Sequence, residues 1–329
     1  MSDSPTVSIV ITAHNEAETI ADTLRSVSSQ CDAPVTEILL VDDRSSDGTG
    51  ELARSLDLPN LRVLRIDHFD HPTLTARQVA LDTAIRAAKG DLVFLTDADA
   101  LVPPDWLSTM SRRLEAADAV AGRVDCVAKP DRSNRFIAAL QSVDAAFYSG
   151  VCAVLNTCGF ASGMIFNNCA FRREWYEKVG GFEAIGFALT EDLSFARALH
   201  RSGARLAFQV RPAVAVRACG SAGEFIRRAH RIGSGGTSAL SVALGLWMLV
   251  WLGLLLAMPI RPDLFALAFL LRHVTGAAFV AFWLVRSGRA DLLPLALLYE
   301  PAAILTGLAV MWDARTRRKV EWGGIDYPQ

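Results

Sequence analysis

Gly90-Asp91-Leu92-Val93-Phe94-Leu95-Thr96-Asp97-Ala98-Asp99 runs five apolar or β-branched residues into two aspartates two positions apart. A run of that length without polar alternation suits a strand covered on both faces, as in a parallel sheet. Upstream, residues 75–89 carry Val79, Ala80, Thr83, Ala84 and Ala87 at helical spacing, and Gly90 is the expected stop. Residues 7–12, 38–41 and 61–66 are short apolar runs of the same kind. Residues 16–29 place Ile20, Leu24 and Val27 on one helical face, with Asn15 as the expected cap and Glu18 at the third helical position. The order β-α-β-α-β-α-β predicts an α/β domain with a parallel sheet, which binds ligands at the carboxyl ends of its strands.

The composition fits that reading. Of 329 residues, 51% are hydrophobic and 21% charged, with 33 Lys+Arg against 35 Asp+Glu, which excludes a disordered chain, a collagen-like chain and a disulfide mini-protein. The balance of −2 lacks the basic excess of a nucleic-acid binder, so no nucleic-acid partner is expected. Cys31, Cys126, Cys152, Cys158, Cys169 and Cys219 form no C-x-x-C pair, which points to a reduced compartment rather than a zinc or dithiol site. The N-terminal Met-Ser-Asp-Ser-Pro-Thr-Val-Ser-Ile-Val has an acidic flank and a short apolar run, and reads as a first strand rather than a signal peptide.

From Gly236 onward the chain changes character. Residues 238–258, 264–285 and 292–312 each approach the ~20 residues needed to cross a bilayer core. Arg272 and His273 interrupt the second, and Glu300-Pro301 the third. A charge at membrane depth costs at least ~2.5 to 3.5 kcal/mol, so an Arg272 to Glu300 contact is expected. Three crossings would separate Arg315, Arg317, Arg318 and Lys319 from Arg227, Arg228 and Arg231, against the positive-inside rule, so the second or third segment is expected to be re-entrant or interfacial. Trp247, Trp251, Trp283 and Trp312 fit such segments. The predicted organisation is a catalytic domain over 1–222, a basic amphipathic interfacial helix over 223–236, two to three membrane helices over 237–313 and a basic cytoplasmic tail over 314–329.

Polar residues crowd the predicted strand ends. The first strand runs into Ala13-His14-Asn15-Glu16 and the second into Asp42-Asp43-Arg44-Ser45-Ser46-Asp47-Gly48-Thr49. A carboxylate there can accept hydrogen bonds from a nucleobase or ribose, while Ser46 or Asp47 can equally cap the helix that follows. Asp97 and Asp99 can turn oxygens toward one hard cation, and Mg²⁺ or Mn²⁺ bridging diphosphate oxygens needs only one or two protein carboxylates. A solvated turn is the competing reading. His14, His68, His71 and His200 have no metal-ligand spacing. Trp106 suits either a place beside a bound ligand or the core.

Taken together, residues 8–16, 41–49, 90–99 and 168–182 with Thr190-Glu191-Asp192 resemble the family 2 glycosyltransferases, over about two-thirds of the chain. The resemblance implies a GT-A fold: a Rossmann-like, mostly parallel sheet flanked by helices, here followed by an α-helical membrane region. It implies inverting transfer from a UDP- or GDP-linked sugar, with the donor base near Ala13 and Asp43, and Asn15 and Glu16 at the edge of that pocket. Asp97 and Asp99 match the metal-binding D-x-D. Arg77 stands where relatives often carry the Lys of G-K-x-x-A-L-N, which implies a substrate-binding role near the nucleotide, although Ala76, Arg77 and Asp82 depart from that pattern.

The resemblance also places Asn168 on the acceptor side and makes Asp192 of Thr-Glu-Asp the general base, with Glu191 beside it. Helix capping is the alternative for Thr190 and Glu191. Inversion requires one carboxylate on the face opposite the leaving group. Arg228-Ala229-His230-Arg231-Ile232 lacks the Gln and Trp of the processive Q-x-x-R-W motif, so a polymer synthase is not expected. Arg231 is placed at the diphosphate or on an interfacial helix against anionic lipid. The apolar third makes a lipid acceptor the natural partner, with the catalytic domain on the cytoplasmic face of a membrane. The rival readings are a sugar nucleotidyltransferase, which would need a Gly-rich loop absent from residues 12–16, and a non-catalytic nucleotide-sugar-binding subunit.

Overall fold

The computed structural model describes residues 5–30, 35–128, 135–160, 164–235, 258–316, 319–322 and 324–328, with a few residues between 236 and 257. Two compact units are present. The first comprises Met1–Asp125, Leu155–Arg217 and Glu321–Tyr327, and the second Cys126–Val154, Ala218–Val320 and Pro328–Gln329.

The first unit is built on β1 (Val7–Ala13), β2 (Glu37–Asp43), β3 (Leu61–Ile66), β4 (Leu92–Asp97), β5 (Ala100–Leu101), β6 (Ala119–Val127), β7 (Cys169–Arg172) and β8 (Leu206–Arg217). They form one mixed sheet in the order β3-β2-β1-β4-β7-β6-β8-β5. The four strands read from the sequence are its parallel half: β1 pairs in parallel with β2 and β4, and β2 with β3. Every residue of β1 and β2 is buried, as the unbroken apolar runs require, while the edge strand β3 is only half covered and turns Arg62 and Arg65 outward. Register sets Thr12 opposite Asp97 and Ala13 opposite Asp42, so three strand ends open side by side. Beyond β4 the sheet turns antiparallel through β7, β6 and the β5-β8 pair. This mixed half, with parallel β1 to β4, is the expected GT-A-like architecture.

The helices of this unit are α1 (Ile20–Ser28), α2 (Thr49–Ser55), α3 (Ala76–Ala87) and α4 (Trp106–Leu114). After α5, described with the second unit, come α6 (Arg173–Lys178), α7 (Gly181–Ile185) and α8 (Glu191–Arg201). Two local expectations are corrected. Asn15 does not cap α1, which starts later, behind Thr19. Gly90 does not stop α3, which ends at Ala87; it is needed because a Cβ there would lie 2.5 Å from the Ser8 amide. Ser8 Oγ accepts the Gly90 amide at 2.8 Å and donates to Glu37 Oε1 at 2.6 Å, tying β1, β2 and β4 together at their starts.

The second unit holds α5 (Arg135–Thr157, whose last turn returns to the first unit), α9 (Ala222–Gly233), α10 (Pro262–Ser287), a 3₁₀ stretch (Ala290–Leu298) and α11 (Tyr299–Thr316). Val143 and Ala146 of α5, Val280 and Leu284 of α10, and Leu292, Ala296 and Tyr299 form its buried core. Gly150 lets the α10 Trp283 ring press onto the α5 backbone, since a Cβ there would collide with the indole.

Among the described residues, the helices long and apolar enough to cross a membrane are Arg135–Thr157, Pro262–Ser287 and Ala290–Thr316. The last two correspond to predicted segments. The predicted 238–258 segment lies largely outside the described residues, and α5 was not anticipated. Residues 292–312 are not one α-helix: Pro294, which lacks an amide hydrogen, sits in the 3₁₀ stretch, and Pro301 falls in the first turn of α11, where no intrahelical donor is needed. Arg272 Nε lies 3.4 Å from Glu300 Oε1, with both residues 7% exposed, as expected from the cost of isolating either charge.

Helix α9 is capped by Ser221, whose Oγ accepts the Glu224 amide at 3.2 Å. Its buried His230 pairs with Asp313 of α11 at 2.8 Å. The expected basic tail over 314–329 is instead the end of α11 followed by a two-stranded hairpin, β9 (Lys319–Trp322) with β10 (Ile325–Pro328), whose Tyr327 belongs to the first unit.

Candidate active site

At the end of β1, Ala13 is buried in the sheet and the chain turns through Asn15, whose φ of 58° is left-handed. Asn15 holds two strand ends together: its amide donates to Ser45 Oγ at 2.9 Å and its Oδ1 accepts the Ser46 amide at 2.8 Å. His14 contributes a third tie, Nδ1 to the Asp43 carbonyl at 2.6 Å. Asp47 rather than Ser46 serves the next helix, accepting the Thr49 amide at 3.1 Å.

The two carboxylates after β2 have different surroundings. Asp42 is fully buried, ion-paired with Arg65 at 2.5 Å, and leaves no room for a side chain at Gly50. Asp43 faces Arg44, which grips it with a two-pronged contact of 2.8 and 3.0 Å and leans over the Phe69 ring. Arg44 was not foreseen from the sequence, because a neighbouring Asp-Arg pair does not reveal that a left-handed Arg44, φ 57°, folds back on its own neighbour.

Arg77 organises the centre. It stands in the first turn of α3, where Thr75 and Gln78 form a reciprocal cap. Arg77 Nε donates to Glu191 Oε1 at 2.6 Å, and its NH2 to Asp97 Oδ1 at 2.5 Å. The D-x-D strand end and the Thr-Glu-Asp segment are thus joined by one guanidinium whose side chain is 15% exposed. Burial works against its charge, but Asp97 and Glu191 outweigh burial and raise its pKa.

Replacing Arg77 by Met leaves two carboxylates facing each other without a cation, with an expected loss of ~3 to 5 kcal/mol of stability. Arg77→Lys keeps the charge but not the fork, and should recover only part of that loss in urea unfolding. Equal midpoints for Arg77→Met and the unmodified protein would refute this account.

Glu16 interacts electrostatically with the same D-x-D. Its carboxyl is pushed up to about 7, first by burial, then by Asp99, with Asp97 adding to the effect, while Thr19 donates to its Oε2 at 2.9 Å and partly offsets them. Three carboxylates with a surplus of negative charge are a donor set suited to a hard cation, so Asp97 and Asp99 fit a Mg²⁺ or Mn²⁺ that takes its remaining ligands from water and diphosphate. Among the described residues no group of three His, Cys, Asp or Glu has the geometry to hold a metal unaided.

The raised Glu16 pKa has a sign that can be tested. Folding raises this carboxyl above its ordinary 4.5, so the folded state holds the extra proton and stability falls as pH rises from about 4.5 to about 7. In chelator, Glu16→Gln should remove a decline on the order of 1 to 3 kcal/mol across that window. A pH profile with the same slope in both proteins would rule it out.

Asp192 sits in the first turn of α8, with its Oδ1 accepting the Leu193 amide at 2.7 Å. The buried Cys169 thiol, opposite Leu95 of β4, is raised well above its usual pKa first by burial and then by the Asp192 carboxylate. Thr190 precedes α8 without a capping side-chain bond.

Asn168 closes the 3₁₀ turn that leads into β7. It is fully buried, its Oδ1 accepts Trp106 Nε1 at 2.9 Å and its Nδ2 donates to the Arg123 carbonyl at 2.8 Å, so both ends of the amide serve the scaffold. Trp106, 0% exposed and edge-on to Phe94, is core. Asp82 anchors the segment leading to α8, accepting Tyr176 Oη at 2.5 Å and the Arg86 guanidinium. Arg231 belongs to α9 in the second unit. Gln78, missed as a site residue, accepts the Ala188 amide at 3.1 Å and donates to the Gly186 carbonyl at 2.8 Å; Thr75-x-x-Gln78 is the sequence signature that marks it.

The family profile described as Glycosyl transferase family 2 matches residues 8–180, more than half the chain, and spans the ends of β1, β2 and β4 but not the Thr-Glu-Asp segment. The chain belongs to glycosyl transferase family 2. Similar family members include the succinoglycan biosynthesis protein ExoO of Rhizobium meliloti, 32% identical over 133 residues, covering 40% of this chain and 36% of that one. The undecaprenyl-phosphate 4-deoxy-4-formamido-L-arabinose transferase of Edwardsiella ictaluri is 37% identical over 128 residues, 36% of each chain. Glycosyltransferase AglE of Haloferax volcanii is 35% identical over 128 residues, 37% of this chain and 40% of its own. The matched stretch therefore covers little more than a third of these relatives. Among solved structures, the mannosyltransferase PcManGT of Pyrobaculum calidifontis, in complex with GDP-Man and Mn²⁺, aligns over 95% of this chain and 88% of its own with a TM-score of 0.51 and 23% identity, a likeness of fold.

Proposed function

We propose that this family 2 member transfers a sugar, with inversion, from a UDP- or GDP-linked donor to a hydroxyl or phosphate of a membrane lipid. The observation that carries the reading is the Arg77 bridge. It brings Asp97 of the D-x-D and Glu191 of Thr-Glu-Asp, 94 residues apart in the chain, to one point at the carboxyl ends of the parallel strands, with Asp192 next in line. Membrane helices in the second unit and the undecaprenyl-phosphate transferase among its relatives support a lipid acceptor.

In this reading Ala13, Asn15, Glu16 and Asp43 border the donor nucleotide, and Arg44 releases Asp43 to accept hydrogen bonds from base or ribose. Asp97 and Asp99 would hold a Mg²⁺ or Mn²⁺, which would neutralise charge developing on the leaving diphosphate. Arg77 fixes Asp97 and Glu191 in place without touching the sugar. Asp192 takes the proton of an acceptor alcohol on the face opposite the leaving group. Arg231 supplies positive charge toward diphosphate or lipid phosphate, and the catalytic unit works at the cytoplasmic face.

The test is incubation of the purified, detergent-solubilised protein and Mn²⁺ or Mg²⁺ with a panel of nucleotide sugars and a total lipid extract, followed by mass spectrometry of the lipids. A new glycolipid formed with one donor is the expected result. Transfer confined to water-soluble acceptors would overturn the lipid assignment, and no transfer or donor hydrolysis at all would overturn the enzyme reading.

A further inference from the structure

The chain end returns to the catalytic unit at a telling place. Tyr327 of β10 is 5% exposed, and its Oη accepts the amide of Ala76 at 2.9 Å. Ala76 is the first residue of α3, and the amide of that position has no partner inside its own helix. Thr75 already caps the Gln78 amide, so the phenol from 251 residues downstream supplies what the local cap leaves open. The next residue is Arg77.

The same ring meets a second segment. Tyr327 packs against Phe187 with centroids 6.1 Å apart, and Phe187 precedes Glu191 and Asp192 by four and five residues. Gln78 reinforces this junction through Gly186 and Ala188, and is itself fully buried. The approach to the Thr-Glu-Asp segment is therefore fastened to the first turn of α3 twice, once by Gln78 from within the helix and once by Tyr327 from the chain end. Arg77, which lies between the two fastening points, holds Asp97 and Glu191.

We propose that Tyr327 is a positioning residue for the transfer reaction: the C-terminal strand locks residues 186–190 against the start of α3, so that Arg77, Glu191 and Asp192 keep the geometry the reaction needs. The inference rests on the glycosyltransferase reading. In this proposal Tyr327 acts through Ala76 and Phe187 rather than by touching donor or acceptor. Its effect therefore falls on turnover rather than on donor affinity, a split that a residue lining the donor pocket would reverse.

The experiment uses the full-length protein. Tyr327→Phe keeps the ring and deletes the acceptor oxygen, and kcat should fall roughly five- to tenfold with the donor KM within about twofold. Tyr327→Ala removes the Phe187 contact as well and should fall further. Hydrogen exchange should quicken in both variants in peptides covering 72–80 and 184–192, while peptides from β1 and β2 stay protected. Full turnover in Tyr327→Phe, a raised donor KM at unchanged kcat, or unchanged exchange in the two peptides would each overturn the proposal. If the unmodified protein transfers no sugar, the glycosyltransferase reading fails, and the exchange comparison still decides whether the strand fastens the two segments.

Discussion

Asp192→Asn is expected to lower transfer to a hydroxyl acceptor by about 10² to 10⁴-fold, the range supplied by a positioned general base. The substitution keeps the shape of the side chain and an oxygen that can still accept the Leu193 amide, so the first turn of α8 should persist. Donor affinity, measured by calorimetry with the nucleotide diphosphate, should stay within about threefold, because the base acts on the acceptor. A phosphate-monoester acceptor has a second pKa near 6 and arrives mostly ionised at neutral pH, so with it the same variant should lose less. The size of the loss thus reports which acceptor chemistry the protein serves. Unchanged turnover on an alcohol would remove Asp192 from the mechanism.

The second large effect concerns the strand end after β4. Asp97→Asn combined with Asp99→Asn should cut product formation by about 10² to 10³-fold, the scale of losing charge stabilisation on a leaving group. Mn²⁺ binding, followed by electron paramagnetic resonance, should weaken in step. Two further consequences are specific to this site. The Glu16 carboxyl should return toward its ordinary range, since both neighbours that raise it after burial are gone. Arg77 loses one charged partner but keeps Glu191, so the double variant should remain folded. Full activity with Mn²⁺ binding intact would leave the metal assignment without support.

Strands β1, β2 and β4 were legible to within one or two residues because they are buried on both faces and their apolar runs are unbroken, whereas β3, a half-covered edge strand with two arginines, was read to the residue from its Leu, Val and Ile positions. The antiparallel half was not, since β7 is four residues long and its pairing with β4 is a long-range event that no local pattern encodes. Motif positions located the strand-end carboxylates but not their partners. Nothing near Asp43 announced the Arg44 grip, and nothing near Ala76 pointed to Tyr327. A motif position carries no information on burial, so the commitment of the Asn168 amide to Trp106 and the Arg123 carbonyl was not legible. Arg272 and Glu300 were paired correctly because an isolated charge in apolar surroundings is so unfavourable that it nearly dictates a partner.

Helix α5 is inserted between β6 and β7, in the middle of the sheet-forming sequence, yet most of it belongs to the unit that holds the other two apolar helices. A stop codon after Arg217 would therefore not release a water-soluble enzyme. It would strip α5 of Val280, Leu284 and Tyr299 and leave a greasy rod attached to an otherwise hydrophilic domain. Such a fragment should sediment with vesicles or aggregate unless detergent shields it. If these helices span a membrane, the need for a shielding amphiphile resides in residues 135–157, within the sheet-forming sequence, as much as in residues 262–316.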